Sequence, residues 1–61
     1  MPDAVPTHYE IHDHRHALGL TQAEFAARLR VSLHTLRSWE QGRREPHGLY
    51  LAALVREMHR P

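Results

Sequence analysis

The chain has 61 residues, no cysteine and a net charge of +1 at pH 7, and its basic residues are eight arginines without a lysine. This length predicts one domain over residues 1–61. With no apolar run near the roughly 20 residues that span a bilayer and no secretory signal at the N-terminus, we expect a cytoplasmic protein without disulfides or membrane contacts.

The first helix is predicted to follow Thr7, because Thr7 and Glu10 have the spacing of a capping box, which satisfies two free amides at a helix start. Its apolar edge is expected at Ile11 and Leu18, seven residues apart. Gly19 then ends the helix, since glycine readily adopts the left-handed conformation that stops one.

The second and third helices are short and closely spaced. Thr21 and Glu24 form another capping box, which predicts a helix over about residues 21–29. Ser32 is a good N-cap for a third helix over about residues 32–41. The core-facing residues of the second helix are predicted to be Phe25, Ala26 and Leu29.

A fourth helix is predicted after Pro46, where apolar residues recur at the i, i+3, i+4 and i+7 spacing of one helix face: Leu51, Leu54, Val55 and Met58. The sequence contains no strand-like alternation and no internal repeat. The predicted fold class is therefore all-α, with four helices and room for a short fifth turn.

The third helix has a polar face opposite its core side. At about 100° per residue, Leu36 and Trp39 lie on the buried side. The opposite side holds hydrogen-bonding types that suit base edges and phosphates: His34, Arg37, Ser38 and Gln41. Two interpretations stand: a face that enters the major groove of DNA, or the solvated face of an ordinary surface helix.

Neighbouring residues leave similar alternatives. Leu33 lies at about 60° from Leu36, at the border of core and polar face, where it packs at the core edge or meets a thymine methyl. Arg43 and Arg44 lie beyond the helix, either beside a phosphate backbone or in a solvated loop. A protonated His34 would meet phosphates or guanine acceptors, which predicts DNA binding linked to proton uptake.

Residues 18–46 resemble the Cro/phage-repressor (XRE-like) class of helix-turn-helix domains. The match comprises Leu18-Gly19-Leu20-Thr21-Gln22, Glu24-Phe25-Ala26, Val31-Ser32, Thr35-Leu36, Trp39-Glu40 and Gln41-Gly42. The resemblance implies a lambda-repressor-like fold and a regulator that binds double-stranded DNA. In that family the residue matching Gln22 contacts the DNA backbone or a nearby base, the third helix recognises bases, and the loop over residues 41–44 approaches phosphate. The candidate DNA-binding residues are thus Thr21, Gln22, Ser32, Leu33, His34, Arg37, Ser38, Gln41, Arg43 and Arg44.

Two features depart from the family pattern. Family members usually have glycine in the turn between the two motif helices, where this chain has Arg30, and a positive φ there would cost about 1 kcal/mol or more. Many relatives also have a fifth helix that completes the core or dimerises. Here the last predicted helix, with Leu49 and Tyr50 as apolar surplus, is the expected dimer surface.

The family also has an arginine three residues before the matching leucine, as Arg15 precedes Leu18 here. Arg15 and Glu40 fall on core-facing positions of their helices, where a lone charge would be costly. We therefore expect these two residues to form a partly buried ion pair between the first helix and the end of the third.

The N-terminal histidines suggest a metal site, because His8 with His12, or His12 with His16, are i,i+4 neighbours on a helix. A closed zinc site needs four ligands, so Glu10 or Asp13 would have to help, and His14 is the fourth histidine of the cluster. The alternative is a solvated helix face, and this is the one we adopt: no metal and no cofactor is expected. Since no nucleophile-and-base pair or phosphate-binding glycine loop is found, the chain is not expected to be an enzyme.

Two functions fit the sequence. One is a sequence-specific repressor that binds a two-fold operator as a homodimer, and the ending Trp39 to Pro46 is most similar to antitoxins of bacterial toxin–antitoxin operons, which repress their own promoter. The other is a protein-interaction module that neutralises a partner such as a toxin, with DNA binding secondary or lost. The free polar face of the third helix favours the first, since a pure interaction module would not need it.

Overall fold

The computed structural model describes residues 5–60, so the predicted domain limits at residues 1 and 61 lie outside it. Within that range there are four helices and no strand: α1 (His8–Ala17), α2 (Gln22–Leu29), α3 (Leu33–Glu40) and α4 (Gly48–Met58). The all-α prediction is confirmed, and no fifth helical turn follows α4 before residue 60. None of these helices is long and apolar enough to cross a membrane.

The first three helices begin where polar side chains satisfy their free amides. Thr7 Oγ1 accepts from the Glu10 N–H at 3.1 Å, and the Glu10 carboxylate accepts from the Thr7 N–H at 2.8 Å. Thr21 and Glu24 repeat this capping box with the same two distances. Ser32 Oγ accepts from the Thr35 N–H at 3.0 Å. The helix starts predicted from these residue types are confirmed.

The same three helices also share one type of C-terminal ending. A residue with positive φ follows each helix, and the amide after it donates back to a carbonyl five residues earlier, as in a Schellman motif. The three positive-φ residues are Gly19 (φ 72°), Arg30 (φ 61°) and Gly42 (φ 75°). The corresponding hydrogen bonds run from Leu20 N–H to Arg15 O, from Val31 N–H to Ala26 O and from Arg43 N–H to Ser38 O. Arg30 therefore occupies a conformation for which glycine is used at the two equivalent positions.

The core lies between α2 and its neighbours, since α2 packs on both α3 and α4, and α1 packs on α3. Leu20, Val31 and Met58 pack against its edge. The buried apolar residues are Ile11, Phe25, Ala26, Leu29, Leu36, Trp39 and Leu54. The predicted core positions of α2 are thus confirmed.

One predicted core position on α1 is wrong. Leu18 is 42% exposed and caps the C-terminus of α1 instead of continuing its buried edge. The buried position nearest to it is taken by Arg15, which is only 9% exposed. The buried face of α1 is therefore half apolar and half ionic, which an apolar pattern alone does not reveal.

In α4, Leu54 alone is fully buried. Leu51, Val55 and Met58 are half-buried, so the predicted stripe is present but lies at the edge of the core. A salt bridge of 2.8 Å from Arg28 Nε to Glu57 Oε2 also joins α2 to α4. This helix is therefore held to the core by less apolar contact than α2 or α3.

Replacing Arg30 by glycine should stabilise the fold. The left-handed conformation costs a non-glycine residue about 1–2 kcal/mol. Glycine also makes the unfolded chain more flexible, which lowers the free energy of unfolding by about 0.4–1 kcal/mol and offsets part of this gain. We expect Arg30→Gly to raise the free energy of unfolding in urea by about 0.5–1 kcal/mol.

Arg30→Ala is the matched control, because alanine removes the guanidinium and keeps the strained backbone. Its stability should stay close to that of the parent chain. An equal gain in both variants would show that the charge of Arg30, and not its backbone, is unfavourable.

Candidate nucleic-acid interface

The exposed face of α3 lies opposite the side that buries Leu36 and Trp39. His34, Arg37 and Gln41 are exposed on it, as the helical spacing predicts, and Leu33 is half-buried at its border. A short helix held to the core by one side therefore presents an imidazole, a guanidinium and an amide to the outside. These groups suit hydrogen bonds to base edges and phosphates.

Ser38 does not belong to this exposed face. Its side chain was predicted there, but the residue is only 6% exposed. The chain after α3 turns back over this flank, where the N–H groups of Arg43 and Arg44 donate to the Ser38 carbonyl at 3.0 and 3.4 Å. Helical spacing gives the direction of Ser38 around the α3 axis correctly. It does not predict the loop that covers this side of the helix, because that loop is a tertiary contact.

The Glu40 carboxylate, at the end of α3, lies at the centre of a buried polar network. Arg15 of α1 donates to it from Nε at 2.8 Å and from Nη2 at 3.1 Å. The side chains of Arg15 and Glu40 are 11% and 4% exposed. Arg15 Nη1 also donates to the Leu20 carbonyl at 2.9 Å, in the segment that leads into α2. The structure thus forms the ion pair expected between these two residues.

Gln22 extends this network to the exposed face of α3. Its Nε2 donates to Glu40 Oε1 at 3.2 Å, and its Oε1 accepts from Arg37 Nε over a longer contact of 3.4 Å. Gln22 is expected beside DNA from the family resemblance, but its link to Arg37 is not predicted by the sequence. These residues are 15 positions apart in the chain, so no local spacing rule would have found the contact.

The two candidate hydroxyls, Thr21 and Ser32, are N-caps of the motif helices and are engaged there. Thr21 Oγ1 accepts from the Glu24 N–H. Ser32 Oγ accepts from the Thr35 N–H and also bonds to Thr35 Oγ1 at 2.8 Å. Both residues are exposed. Both hydroxyls cap the start of a helix, and a contact with DNA would be a second role for them.

The loop after α3 leaves three candidates exposed: Gln41, Arg43 and Arg44. Gly42, within this loop, lies against α1, since a Cβ added to it would be 3.2 Å from the His8 ring. The hydrogen bonds to the Ser38 carbonyl hold the other side of the loop. Both arginines therefore lie on a segment fixed to α1 and α3.

The N-terminal histidines are directed to different surroundings. His8 packs beside Gly42, and the His14 ring lies 6.2 Å from the Phe25 ring centroid. Only His12 and His16 are neighbours, with ring centroids 4.3 Å apart. Among residues 5–60, no group of three or more histidines and carboxylates is placed to hold a metal ion.

Two short helices joined by a tight turn, with the second exposing a polar face, define a helix-turn-helix unit. A family model described as helix-turn-helix matches residues 11–61. The chain therefore belongs to the Cro/C1-type (XRE-like) helix-turn-helix family of DNA-binding transcription regulators. No curated protein and no solved structure is a significant match.

Arg15→Ala should strongly destabilise the protein, because it leaves the Glu40 carboxylate buried without its cation. Breaking a buried pair in this way costs about 3–5 kcal/mol. We expect a loss of this size in urea unfolding, followed by circular dichroism. Arg28→Ala is the control, because the Glu57 carboxylate keeps a second arginine contact, Arg60 Nη1 at 3.5 Å, and Arg28 is itself 43% exposed, so a smaller loss is expected.

A loss of several kcal/mol approaches the whole stability of a small domain, so a second variant keeps the test decisive. Arg15→Met combined with Glu40→Leu removes both charges and should recover most of the loss. Equal losses from Arg15→Ala and Arg28→Ala would contradict the central role assigned to the Glu40 carboxylate.

Proposed function

We propose that this protein is a sequence-specific transcriptional repressor that binds a two-fold DNA operator as a homodimer. The observation that supports it most is the exposed face of α3, where Arg37 is held by Gln22 above a buried ionic network. A solvated helix face needs no such support. A helix that must present one guanidinium in a fixed direction benefits from it, because specific base contacts depend on geometry.

Residues around this face would take different parts in binding. Arg37 and Gln41 are exposed on α3 or at its end and would meet base edges, with Leu33 at the border, whereas the exposed His34 would meet phosphates or base acceptors. Contacts from the loop arginines and from the starts of α2 and α3 would go to phosphates, which position the protein without reading sequence. Those positioning residues would be Thr21, Gln22, Ser32, Arg43 and Arg44.

A dimer is supported by the apolar surface at the start of α4. Leu49 is 88% exposed and Tyr50 is 54% exposed. Exposed apolar residues next to each other are typical of interaction surfaces. The same surface also fits the alternative function, in which a partner protein such as a toxin binds there. A cytoplasmic antitoxin that represses its own promoter would combine both activities.

Base recognition by Arg37 should be separable from phosphate binding by Arg43. We expect Arg37→Ala to lower affinity for the operator by about 1–3 kcal/mol and to relax specificity. Arg43→Ala should weaken binding to operator and random DNA equally and reduce the slope of log K against log salt by about 1. Fluorescence anisotropy with an operator selected from random DNA, at several salt concentrations, measures both.

If both variants lose the same affinity on operator and random DNA, the face of α3 does not recognise bases. Binding of a toxin without any DNA binding would support the interaction-module alternative.

Binding should be dimeric, with two α3 helices about 34 Å apart in successive major grooves. We expect sedimentation equilibrium to show a dimer and a DNA footprint to show two half-sites. Leu49→Glu should shift the chain to a monomer, whereas Tyr9→Glu should not, although Tyr9 is also 70% exposed. A monomer that protects one half-site at high concentration would contradict the proposal.

A further inference from the structure

A groove of about 520 Å³ lies beside the exposed face of α3, a volume in the range of ligand sites. Its walls come from three segments: α3, the loop after it, and the start of α4. Trp39 and Tyr50 form an aromatic side, with ring centroids 6.4 Å apart. The titratable and charged groups that line it are His34, Arg44, Glu45, His47 and Tyr50.

The charge of this groove depends on its two histidines. Arg44 and Glu45 cancel, so the groove has no net charge while His34 and His47 are neutral, and two positive charges when both are protonated. Histidine is the side chain that gains charge between pH 8 and 6. Protonation of both histidines would therefore turn a groove without net charge into a cationic one.

We propose that this groove is a phosphate-binding site whose affinity is set by the protonation of His34 and His47. Protonated imidazole, guanidinium and the phenolic hydroxyl of Tyr50 are all hydrogen-bond donors, and charge-assisted bonds to phosphate are among the stronger ones. His47 is the N-cap of α4 and makes no side-chain capping bond. Its ring is thus not committed to the helix, and the α4 N-terminus adds partial positive charge beside it.

The phosphate is that of the DNA backbone, because His34 belongs both to the groove and to the exposed face of α3. This step rests on the proposed DNA-binding function. The sequence indicates only His34 as a sensor, since His47 is 13 residues away and follows a proline. The groove brings the two together and predicts coupled uptake of up to two protons on binding.

The test is operator affinity from pH 8 to pH 6 at fixed ionic strength. We expect wild-type affinity to rise more than tenfold, His34→Gln and His47→Gln each to lose part of that rise, and the double variant to lose most of it. His59→Gln is the control, because His59 caps the opposite end of α4. Its pH profile should match that of the wild type.

A second measurement uses inorganic phosphate and the free protein at pH 6. Phosphate should shift the ring resonances of His34 and His47 in nuclear magnetic resonance spectra and compete with DNA more strongly than chloride at equal ionic strength. Arg44→Ala should weaken both effects. Shifts of the two rings by operator DNA as well as by free phosphate would identify the DNA backbone as the natural source.

The outcomes separate the two proposals. If DNA binds but the double variant keeps the wild-type pH profile, the groove proposal is overturned and the DNA-binding function stands. If the chain binds no DNA at any pH, the proposed function fails, and the phosphate titration alone decides whether the groove binds the anion.

Discussion

The Glu40 carboxylate imposes the main constraint on this structure. Its side chain is 4% exposed, and a buried charge is tolerated only when it is paired and hydrogen-bonded. Arg15 supplies the charge from α1 and Gln22 supplies an amide from α2, while Glu40 itself ends α3. The relative positions of three helices are therefore restricted by this one carboxylate. Hydrogen bonds are directional, whereas hydrophobic burial is not, so the network adds a geometric constraint to a small apolar core.

The side-chain amide of Gln22 connects the buried Glu40 carboxylate to the proposed DNA-binding face of α3. An ionised carboxylate only accepts hydrogen bonds, so Gln22 has to turn its NH₂ group toward Glu40. Its carbonyl then faces the other way and accepts from Arg37 Nε. The exposed guanidinium of Arg37 is thus linked through Gln22 to a charge in the interior. Stability and the proposed DNA recognition share this network, so a variant that disturbs Glu40 would alter both.

The sequence was most informative where structure is local. The N-caps Thr7, Thr21 and Ser32 act within three residues of themselves, so spacing alone located the helix starts. The resemblance added the long-range Arg15–Glu40 pair. Spacing failed for Ser38 and Leu18, whose burial depends on where the following chain turns. The groove beside α3 was not predicted for the same reason, since its walls come from three segments.

The net charge of +1 reflects eight arginines against seven carboxylates, and some of these arginines are paired. Arg15 is buried against Glu40 and the partly exposed Arg28 bonds to Glu57, and Glu45 offsets Arg44 in the groove. At most five of the eight arginines remain to attract the DNA backbone, and non-specific affinity scales with the number of phosphates neutralised. A weak general attraction leaves a larger share of the binding energy to base contacts, which favours discrimination between sites. In this chain the placement of Arg37, more than total charge, would decide where on DNA the protein binds.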